Sequence, residues 1–352
     1  MSESKFYRIS PGGKPAALSG LTAYGSAAEA LAAVPDGGFG AKQPDSGFAW
    51  LHYSQPEKED LLKLMEPLGL HPLSIEDCFD DNQVPKMEDY HRNTFILFNA
   101  FACTDGRLSV DEIDLFIGED YLVTVCGAAP GAGRPLEGIE QVVEREIEKA
   151  RQGPAFLMHV ILDHIVDRKF AAIESIEDEL DEMEESMMAG ITRFHPAGLV
   201  RRRRDLMALR KSVFHEREIL TRICRRDCPF IPEKALFPYR DIYDHLAKFF
   251  EVIETCRELG TSLMEIYLSL QNNRMTRAAQ QTNATVRRLT LITTVFMPLT
   301  FLAGIFGMSE WTMMTGQDNW RIAYPVFLVA TVLLALANYY LLARLGKRHD
   351  EE

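Results

Sequence analysis

The 352-residue sequence lacks several of the patterns that assign a chain to a common functional class. Its N-terminus, MSESKFYRIS, has no apolar segment, so we expect no cleavable signal peptide. Its six cysteines form no CxxC pair, which argues against a zinc-knuckle or thioredoxin-type site. We therefore expect these cysteines to be reduced thiols in a cytoplasmic domain.

Positive charge is scarce as well. The chain has 38 Lys and Arg residues against 51 Asp and Glu residues, a formal net charge of −13. Proteins that bind nucleic acid need a basic face for the phosphates, so we expect no nucleic-acid partner. An acidic surface suits cations, although many soluble proteins are acidic for solubility alone.

Motifs for nucleotide binding and catalysis are missing. Residues 127–134 are rich in glycine but lack the Lys-Ser/Thr pair of a phosphate-binding loop, which favours a simple turn cluster. His159 and His164 are five residues apart, which is not the spacing of a metal-binding helix, and no nucleophile elbow occurs. We therefore expect that the chain is not an enzyme.

Two long apolar runs stand out near the C-terminus. Residues 289–308 contain no charged residue, and residues 322–345 contain none before Arg344. Twenty helical residues span about 30 Å, which matches the hydrocarbon core of a bilayer. Tyrosines suited to the membrane interface lie near the ends of the second run, at Tyr324, Tyr339 and Tyr340. The runs predict two transmembrane helices rather than a buried hairpin of a soluble protein.

The flanking charges predict the orientation of both helices. Cations precede the first run and follow the second, at Arg287, Arg288, Arg344, Lys347 and Arg348. The connecting residues, 309–320, include no Lys or Arg. By the positive-inside rule, both termini lie in the cytoplasm and the short loop lies outside. The sequence thus predicts a multi-pass protein of the inner (plasma) membrane.

One side of the first run is small and polar. Steps of three and four residues trace a stripe through Asn283, Val286, Thr290, Thr293, Met297, Thr300, Gly304 and Gly307. Small and hydroxyl residues often mediate helix packing in membranes. The alternative is that the stripe lines a pore. A pore needs a ring of several copies, because one such helix per chain cannot enclose it. Pro298 removes one backbone hydrogen bond and allows a bend.

The part before these runs predicts an α/β domain followed by helices. Strand-like runs cover residues 48–53, 94–103, 112–117 and 121–126. Helical periodicity covers residues 27–33 and 58–68, and Pro72 suits the first turn of a third short helix that starts at His71.

From residue 136 onward the pattern is helical. An acidic helix ends near Gly190 and a basic helix follows over residues 199–226. Their opposite charges predict a solvated antiparallel hairpin. Alternatively, the acidic helix attracts cations or neutralises a positive ring near the pore mouth. A last helix begins near Tyr239 and continues into the first membrane run, because no Gly or Pro separates Thr261 from Pro298.

These patterns divide the chain into seven parts. They are a cytoplasmic α/β domain (1–135), a helical hairpin (136–235), a stalk helix (236–288), a first transmembrane helix (289–308), an external loop (309–320), a second transmembrane helix (321–345) and a cytoplasmic tail (346–352).

Three segments resemble one known family. Residues 282–309 (TNATVRRLTLITTVFMPLTFLAGIFGMS), followed by YPVFLVATVLL, resemble the pore region of the CorA-type magnesium transporters. Residues 71–90 and 239–245 resemble further blocks of that family in the same order, and the resemblance covers residues 48–344. It implies an α+β membrane protein with a cytoplasmic α/β funnel domain. It also implies a long stalk helix that continues into the first of two C-terminal transmembrane helices, and a homopentamer.

The resemblance also implies roles for individual residues. A polar ring at the cytoplasmic end of the pore is expected from Asn283, and constrictions that gate by dewetting are expected from Val286, Leu289 and Met297. The other implied pore-lining residues are Thr290, Thr293, Thr300 and Gly304. Two carboxylates, Asp77 and Asp241, match the regulatory divalent-cation site between subunits. Mg²⁺ binds such carboxylates through one or two oxygens and keeps several waters.

One motif departs from the family pattern. Family members carry Gly-Met-Asn at the outer end of the pore helix, whereas this chain has Gly307, Met308 and Ser309. The family's asparagine amide is thought to meet the hydrated cation. Serine keeps an oxygen acceptor on a shorter side chain. A ring of serines is therefore expected to lie farther from the ion and to hold it more weakly.

The leading hypothesis is a channel for Mg²⁺ influx, driven by the membrane potential and gated by cytoplasmic Mg²⁺, with Co²⁺ and Ni²⁺ as further ions. The alternatives are a ZntB-type zinc transporter and a non-conducting membrane sensor or scaffold. Zinc coordination favours His or Cys near the path, and the stripe contains neither. The expected partners are further copies of the chain, membrane lipids and divalent cations.

Overall fold

The computed structural model describes residues 4–10, 21–33, 47–80, 83–104, 107–127, 135–189, 194, 196–306, 316 and 319–349. The chain divides into two compact units, Met1–Ile266 and Tyr267–Glu352. The first unit combines a β-sheet with helices, and the second is helical.

The described part of the first unit contains a sheet of seven strands in the order β2-β1-β3-β7-β6-β5-β4. Strands β3 and β7 pair in parallel, and every other neighbouring pair is antiparallel. The strands are β1 (Lys5–Ile9), β2 (Leu21–Tyr24), β3 (Phe48–Ser54), β4 (Lys86–Asp89), β5 (Thr94–Thr104), β6 (Arg107–Ile117) and β7 (Tyr121–Cys126). This mixed sheet confirms the predicted α/β character.

The four predicted strands correspond to β3, β5, β6 and β7, which form the centre of the sheet. Sequence reasoning missed the three strands nearest the edges, β1, β2 and β4. Their side chains are too exposed or too charged to give a buried strand pattern: β2 has no buried residue, and β4 reads Lys-Met-Glu-Asp. Edge strands often carry charge in this way, because charge discourages pairing with other chains.

Six short helices of the described chain lie around the sheet. They are α1 (Ala27–Ala32), α2 (Lys58–Leu62), α3 (Met65–Leu68), α4 (Pro72–Asp77), α5 (Ile139–Arg145) and α6 (Ile147–Ala150). Alternate residues of β3, β5 and β7 form one hydrophobic cluster with α1 to α4, with Leu51, Leu61, Ile75, Phe95 and Val123 among its fully buried members. Because side chains alternate across a strand, these helices cover one face of the sheet.

The predicted helix over residues 58–68 is two helices rather than one. A continuous helix would bring the ring of Pro67 against the carbonyl of Lys63, four residues earlier. The chain restarts at Met65, which places Pro67 in a first turn where no backbone N–H is needed. Gly69 then ends α3 in the left-handed conformation with a φ of 67°.

Two long helices follow, α7 (Pro154–Ala189) and α8 (Pro196–Cys224). Helix α7 lies against β5, β6 and β7 and contributes nothing to the cluster around α1 to α4, so it covers the opposite face of the sheet. Arg202 of α8 forms two hydrogen bonds with Glu179 of α7, at 2.6 and 2.9 Å. Lys169 of α7 pairs with Glu216 of α8. As the position along α7 rises, its partner position along α8 falls, so the two helices are antiparallel, as predicted.

The chain continues through a short 3₁₀ helix (Glu233–Ala235) into α9 (Leu236–Phe306) and ends with α10 (Trp320–His349). Helix α9 contains Pro298 without interruption and confirms the predicted long helix. By length and composition, one helix among the described residues can cross a membrane, and it covers Glu233–Ile305. The apolar part of α10 within those residues is shorter, Tyr324–Tyr340.

Candidate functional site: the stripe on α9 and two carboxylates

The predicted pore stripe lies on α9 in the second unit. Its side chains are exposed from Asn283 to Gly304, with exposed fractions of 54% for Val286 and 71% for Met297. Leu289, next to the stripe, is 64% exposed. A large apolar side chain left this exposed in a chain normally contacts lipid or another subunit. Gly307, Met308 and Ser309 lie outside the described residues.

The threonines of the stripe share one hydrogen-bond pattern. The hydroxyls of Thr290, Thr293 and Thr300 each donate to the backbone carbonyl four residues earlier, at 2.9 Å. A hydroxyl has one proton and two lone pairs, so a committed proton leaves the oxygen as an acceptor. The stripe therefore presents acceptors to any group that approaches it. Such groups include the water O–H bonds that surround a hydrated cation.

In the first unit, Asp77 is the last residue of α4. The helix begins at His71, whose Nδ1 accepts a hydrogen bond from the backbone N–H of Leu73 at 3.2 Å. Pro72 occupies the first helical position, as predicted. The ring of His71 stacks on Tyr90 at a centroid separation of 4.8 Å. These contacts hold the start of α4 near the end of β4, and Asp77 at the other end of α4 meets Lys86 at the start of β4.

Both oxygens of Asp77 have partners within the chain. Lys86 Nζ donates to Oδ2 at 2.6 Å, and Gln83 Nε2 donates to Oδ1 at 3.1 Å. The pair is partly buried, with 19% of the Asp77 side chain and 30% of the Lys86 side chain exposed. Burial by itself lowers the pKa of Lys86, but the hydrogen bond and charge of Asp77, together with Glu88, raise it above its ordinary value. Lys86 is thus a full positive charge held on Asp77.

A buried carboxyl, Asp114 of β6, lies close to this pair. Burial, helped by the charges of Glu112 and Asp77 and opposed by Cys78 and Lys86, raises the pKa of Asp114 to about 8. Its Oδ1 has no hydrogen-bond partner among the described residues. Asp114 is therefore largely protonated at neutral pH.

The raised pKa of Asp114 predicts a pH dependence of stability. Between pH 4 and pH 8 the folded protein holds a proton that the unfolded chain has released, so this contribution falls as the pH rises. The slope for one group is up to ~1.4 kcal/mol per pH unit. We expect Asp114→Asn to remove this slope. The melting temperature of the variant minus that of the wild type should therefore increase from pH 5 to pH 8. Parallel melting curves of the two proteins across this range would contradict the assignment.

Asp241 lies near the start of α9. Its side chain is 68% exposed, and His245 Nε2 lies 3.7 Å from its Oδ2. The charges of Asp241 and Asp163 both act on His159 of α7, whose pKa is lowered chiefly by burial. Sequence reasoning did not single out Asp163, because it is separated from Asp241 by 78 positions and carries no local signal.

The two predicted regulatory carboxylates thus have different surroundings in one chain. Asp77 is bound by a lysine and an amide, whereas Asp241 is open to solvent. Within the part of the chain that the structure describes, no group of three or more His, Cys, Asp or Glu side chains could hold a metal ion. The six cysteines are all free, as predicted.

Comparison with known proteins adds a sequence match over most of the chain. The family described as "CorA-like Mg2+ transporter protein" matches residues 45–344. The putative metal ion transporter YfjQ of Bacillus subtilis is 31% identical over 84% of this chain and 88% of its own length. The cobalt/magnesium transport protein CorA of Thermotoga maritima is 30% identical over 82% of this chain and 80% of its own length. The zinc transport protein ZntB of Cronobacter sakazakii is 26% identical over 81% of this chain and 83% of its own length.

Solved structures share the fold. The complete CorA magnesium transporter of Methanocaldococcus jannaschii superposes with a TM-score of 0.64 at 19% identity and covers 96% of both chains. The full-length CmaX protein superposes with a TM-score of 0.60 at 18% identity and covers 89% of this chain and 93% of its own.

Proposed function

The chain belongs to the CorA-like Mg²⁺ transporter family, and from this premise we propose that it forms a homopentameric channel for Mg²⁺ influx. Transport of a divalent cation follows from the family. The proposed driving force is the membrane potential, because a divalent ion gains roughly 4.6 kcal/mol per 100 mV, twice the value for one charge.

The observation that carries the proposal is the exposed stripe of small, hydroxyl and apolar residues along α9. The three threonine hydroxyls of the stripe donate within the helix and keep an oxygen acceptor each on one side of α9. Five copies of the stripe around an axis would give a lumen lined by acceptors, and α10 would form the outer membrane helix. The channel would lie in the inner (plasma) membrane, with both termini of each chain in the cytoplasm.

The same acceptors favour a hydrated ion. Mg²⁺ gives up its water reluctantly, so a pore that reads the water shell avoids the cost of dehydration. The proposed lining is Asn283, Thr290, Thr293, Thr300 and Gly304. Val286, Leu289 and Met297 are proposed as the apolar constrictions that close the pore by losing water. Co²⁺ and Ni²⁺, which are also divalent, are proposed as further cargo.

The ion is the open part of the proposal, since relatives include both CorA and ZntB proteins. The stripe contains no His or Cys, the ligands that Zn²⁺ prefers for direct coordination. This absence favours recognition of a hydrated ion. Regulation by cytoplasmic Mg²⁺ is assigned to Asp77 and Asp241, with the bound ion holding the channel closed.

Uptake into liposomes tests the proposal. We expect the purified protein to admit Mg²⁺ under an inside-negative potential, as reported by an enclosed Mg²⁺ indicator. Cobalt(III) hexaammine, which mimics a hydrated ion, should block the flux. Ser309→Asn should raise the flux or lower the Mg²⁺ concentration needed for half-maximal flux, because a longer amide reaches the water shell that serine meets weakly.

The outcomes separate the alternatives. Zn²⁺ uptake without Mg²⁺ uptake would show a zinc transporter. No flux of any divalent ion by the wild type or by Ser309→Asn, in a protein that still assembles, would show a sensor or scaffold. A flux that cobalt(III) hexaammine leaves unchanged would refute recognition of the hydrated ion.

A further inference from the structure

The carboxylate of Asp77 already has a cation of the same chain beside it. Mg²⁺ binds one or two carboxylates and keeps several waters, and a neighbouring ammonium repels it. In this chain Lys86 Nζ lies 2.6 Å from Oδ2 and Gln83 Nε2 lies 3.1 Å from Oδ1. The positive charge expected from a bound cation is already supplied by the lysine.

Lys86 has a second carboxylate within reach. Its Nζ lies 3.7 Å from Oε1 of Glu88, two residues along β4 and 42% exposed. The ring of Phe95 lies 5.9 Å from the same ammonium and restricts it on the sheet side. A small rotation of the lysine side chain therefore exchanges Asp77 for Glu88 without leaving the ammonium unpaired. The carboxylate of Asp77 is then released while the ammonium keeps a counter-charge on the more exposed Glu88.

We propose that Lys86 is a tethered competitor for the cation position at Asp77, and that its exchange between Asp77 and Glu88 sets the Mg²⁺ concentration at which this regulatory site fills. The proposal rests on the function proposed above, in which Asp77 senses cytoplasmic Mg²⁺. With Lys86 on Asp77 the site does not bind Mg²⁺. Mg²⁺ must displace the ammonium, so the apparent affinity is lower than that of the bare carboxylate.

Removing the competitor should therefore strengthen Mg²⁺ binding. Losing a charge-assisted hydrogen bond in a partly buried pair changes an equilibrium constant, here that of Mg²⁺ binding at Asp77, about tenfold. We expect Lys86→Met to lower the Mg²⁺ concentration for half-maximal inhibition of flux about tenfold. Lys86→Arg, which keeps the charge, should stay close to the wild type.

A second readout does not depend on transport. A ligand that binds only the folded protein raises its melting temperature in proportion to the logarithm of its concentration over Kd. We expect Lys86→Met to melt below the wild type without Mg²⁺ and to gain more from each addition of MgCl₂. A lysine with only a structural role would lower the melting temperature equally at every Mg²⁺ concentration.

Two further variants make the experiment decisive. Lys63 pairs with Asp60 at 3.0 Å on the exposed surface of α2, so Lys63→Met is a matched control that should leave the Mg²⁺ dependence unchanged. Asp77→Asn should abolish both the inhibition and the Mg²⁺-dependent rise in melting temperature. If Asp77→Asn behaves in this way but Lys86→Met shows no shift or needs more Mg²⁺, the competitor role is overturned and the sensor role stands. If Asp77→Asn keeps the wild-type response, both are overturned.

Discussion

Replacing Glu216 by glutamine is expected to destabilise the first unit, Met1–Ile266, by roughly 3–5 kcal/mol, because it leaves a buried ammonium without its counter-charge. Lys169 and Glu216 are both fully buried, and they pair between α7 and α8. Burial lowers the pKa of Lys169 and the charge of Glu216 raises it, with burial the larger influence. Without that charge, Lys169 must lose its proton or remain charged in an apolar interior.

The contacts around Lys169 and Glu216 show how the pair stabilises the fold. The ammonium lies 4.3 Å from the ring centroid of Phe98 on β5. Oε1 of Glu216 also accepts the backbone N–H of Asn99 at 3.1 Å and the hydroxyl of Ser212 at 3.0 Å. One carboxylate thus joins a central strand to both long helices. Each polar group in this interior depends on the others for a partner.

A double variant serves as the control. In Lys169→Met/Glu216→Gln the buried charge is gone, the thioether of methionine can pack on the Phe98 ring, and the glutamine oxygen can still accept the N–H of Asn99. We expect the double variant to recover most of the loss measured for Glu216→Gln. Thermal melting of the purified protein provides the measurement, at about 2–4 °C per kcal/mol for a unit of this size. A double variant as unstable as the single one would show that the charge pair is not the cause.

Gly304→Leu is expected to stop conduction while leaving the protein folded. A Cβ at Gly304 meets no atom within 4 Å in the chain, and leucine is the better helix former by a few tenths to about 1 kcal/mol. In the proposed pentamer, five leucine side chains would project toward the pore axis. A dry apolar ring adds a barrier that water and hydrated ions cross poorly. We expect Mg²⁺ uptake to fall about a hundredfold or more, equivalent to ~2.7 kcal/mol of added barrier.

Ile305→Phe supplies the comparison, because a helix turns by about 100° per residue and this neighbouring side chain therefore lies off the stripe. Both variants should run at the wild-type size in gel filtration, so that a loss of flux is not a loss of assembly. Normal uptake by Gly304→Leu would remove Gly304 from the pore. Equal losses in both variants would point to helix packing, the other explanation of the small residues.

The membrane runs, the stripe, the central strands and the family motifs could all be predicted from local sequence. An uncharged run of twenty residues is what a bilayer requires of a spanning helix, and a stripe at steps of three and four follows directly from the helical repeat. The central strands β3, β5 and β7 are buried on both faces, so their apolar runs were recognisable. The family resemblance also rested on contiguous motifs, and the match over residues 45–344 confirms it.

The pairs of opposite charges that lie far apart in sequence are visible only in the tertiary structure. Lys169 and Glu216 are 47 positions apart, and nothing near either residue indicates a buried partner. The family resemblance implied a cation-binding role for Asp77, yet Lys86 reaches it because the end of α4 meets the start of β4. Local sequence determines the central strands, the long helices and the apolar membrane runs, since those depend on repeat length and on transfer to a non-aqueous medium. Which charges meet depends on how the finished elements pack, and a charge's partner decides whether it is free to bind an ion.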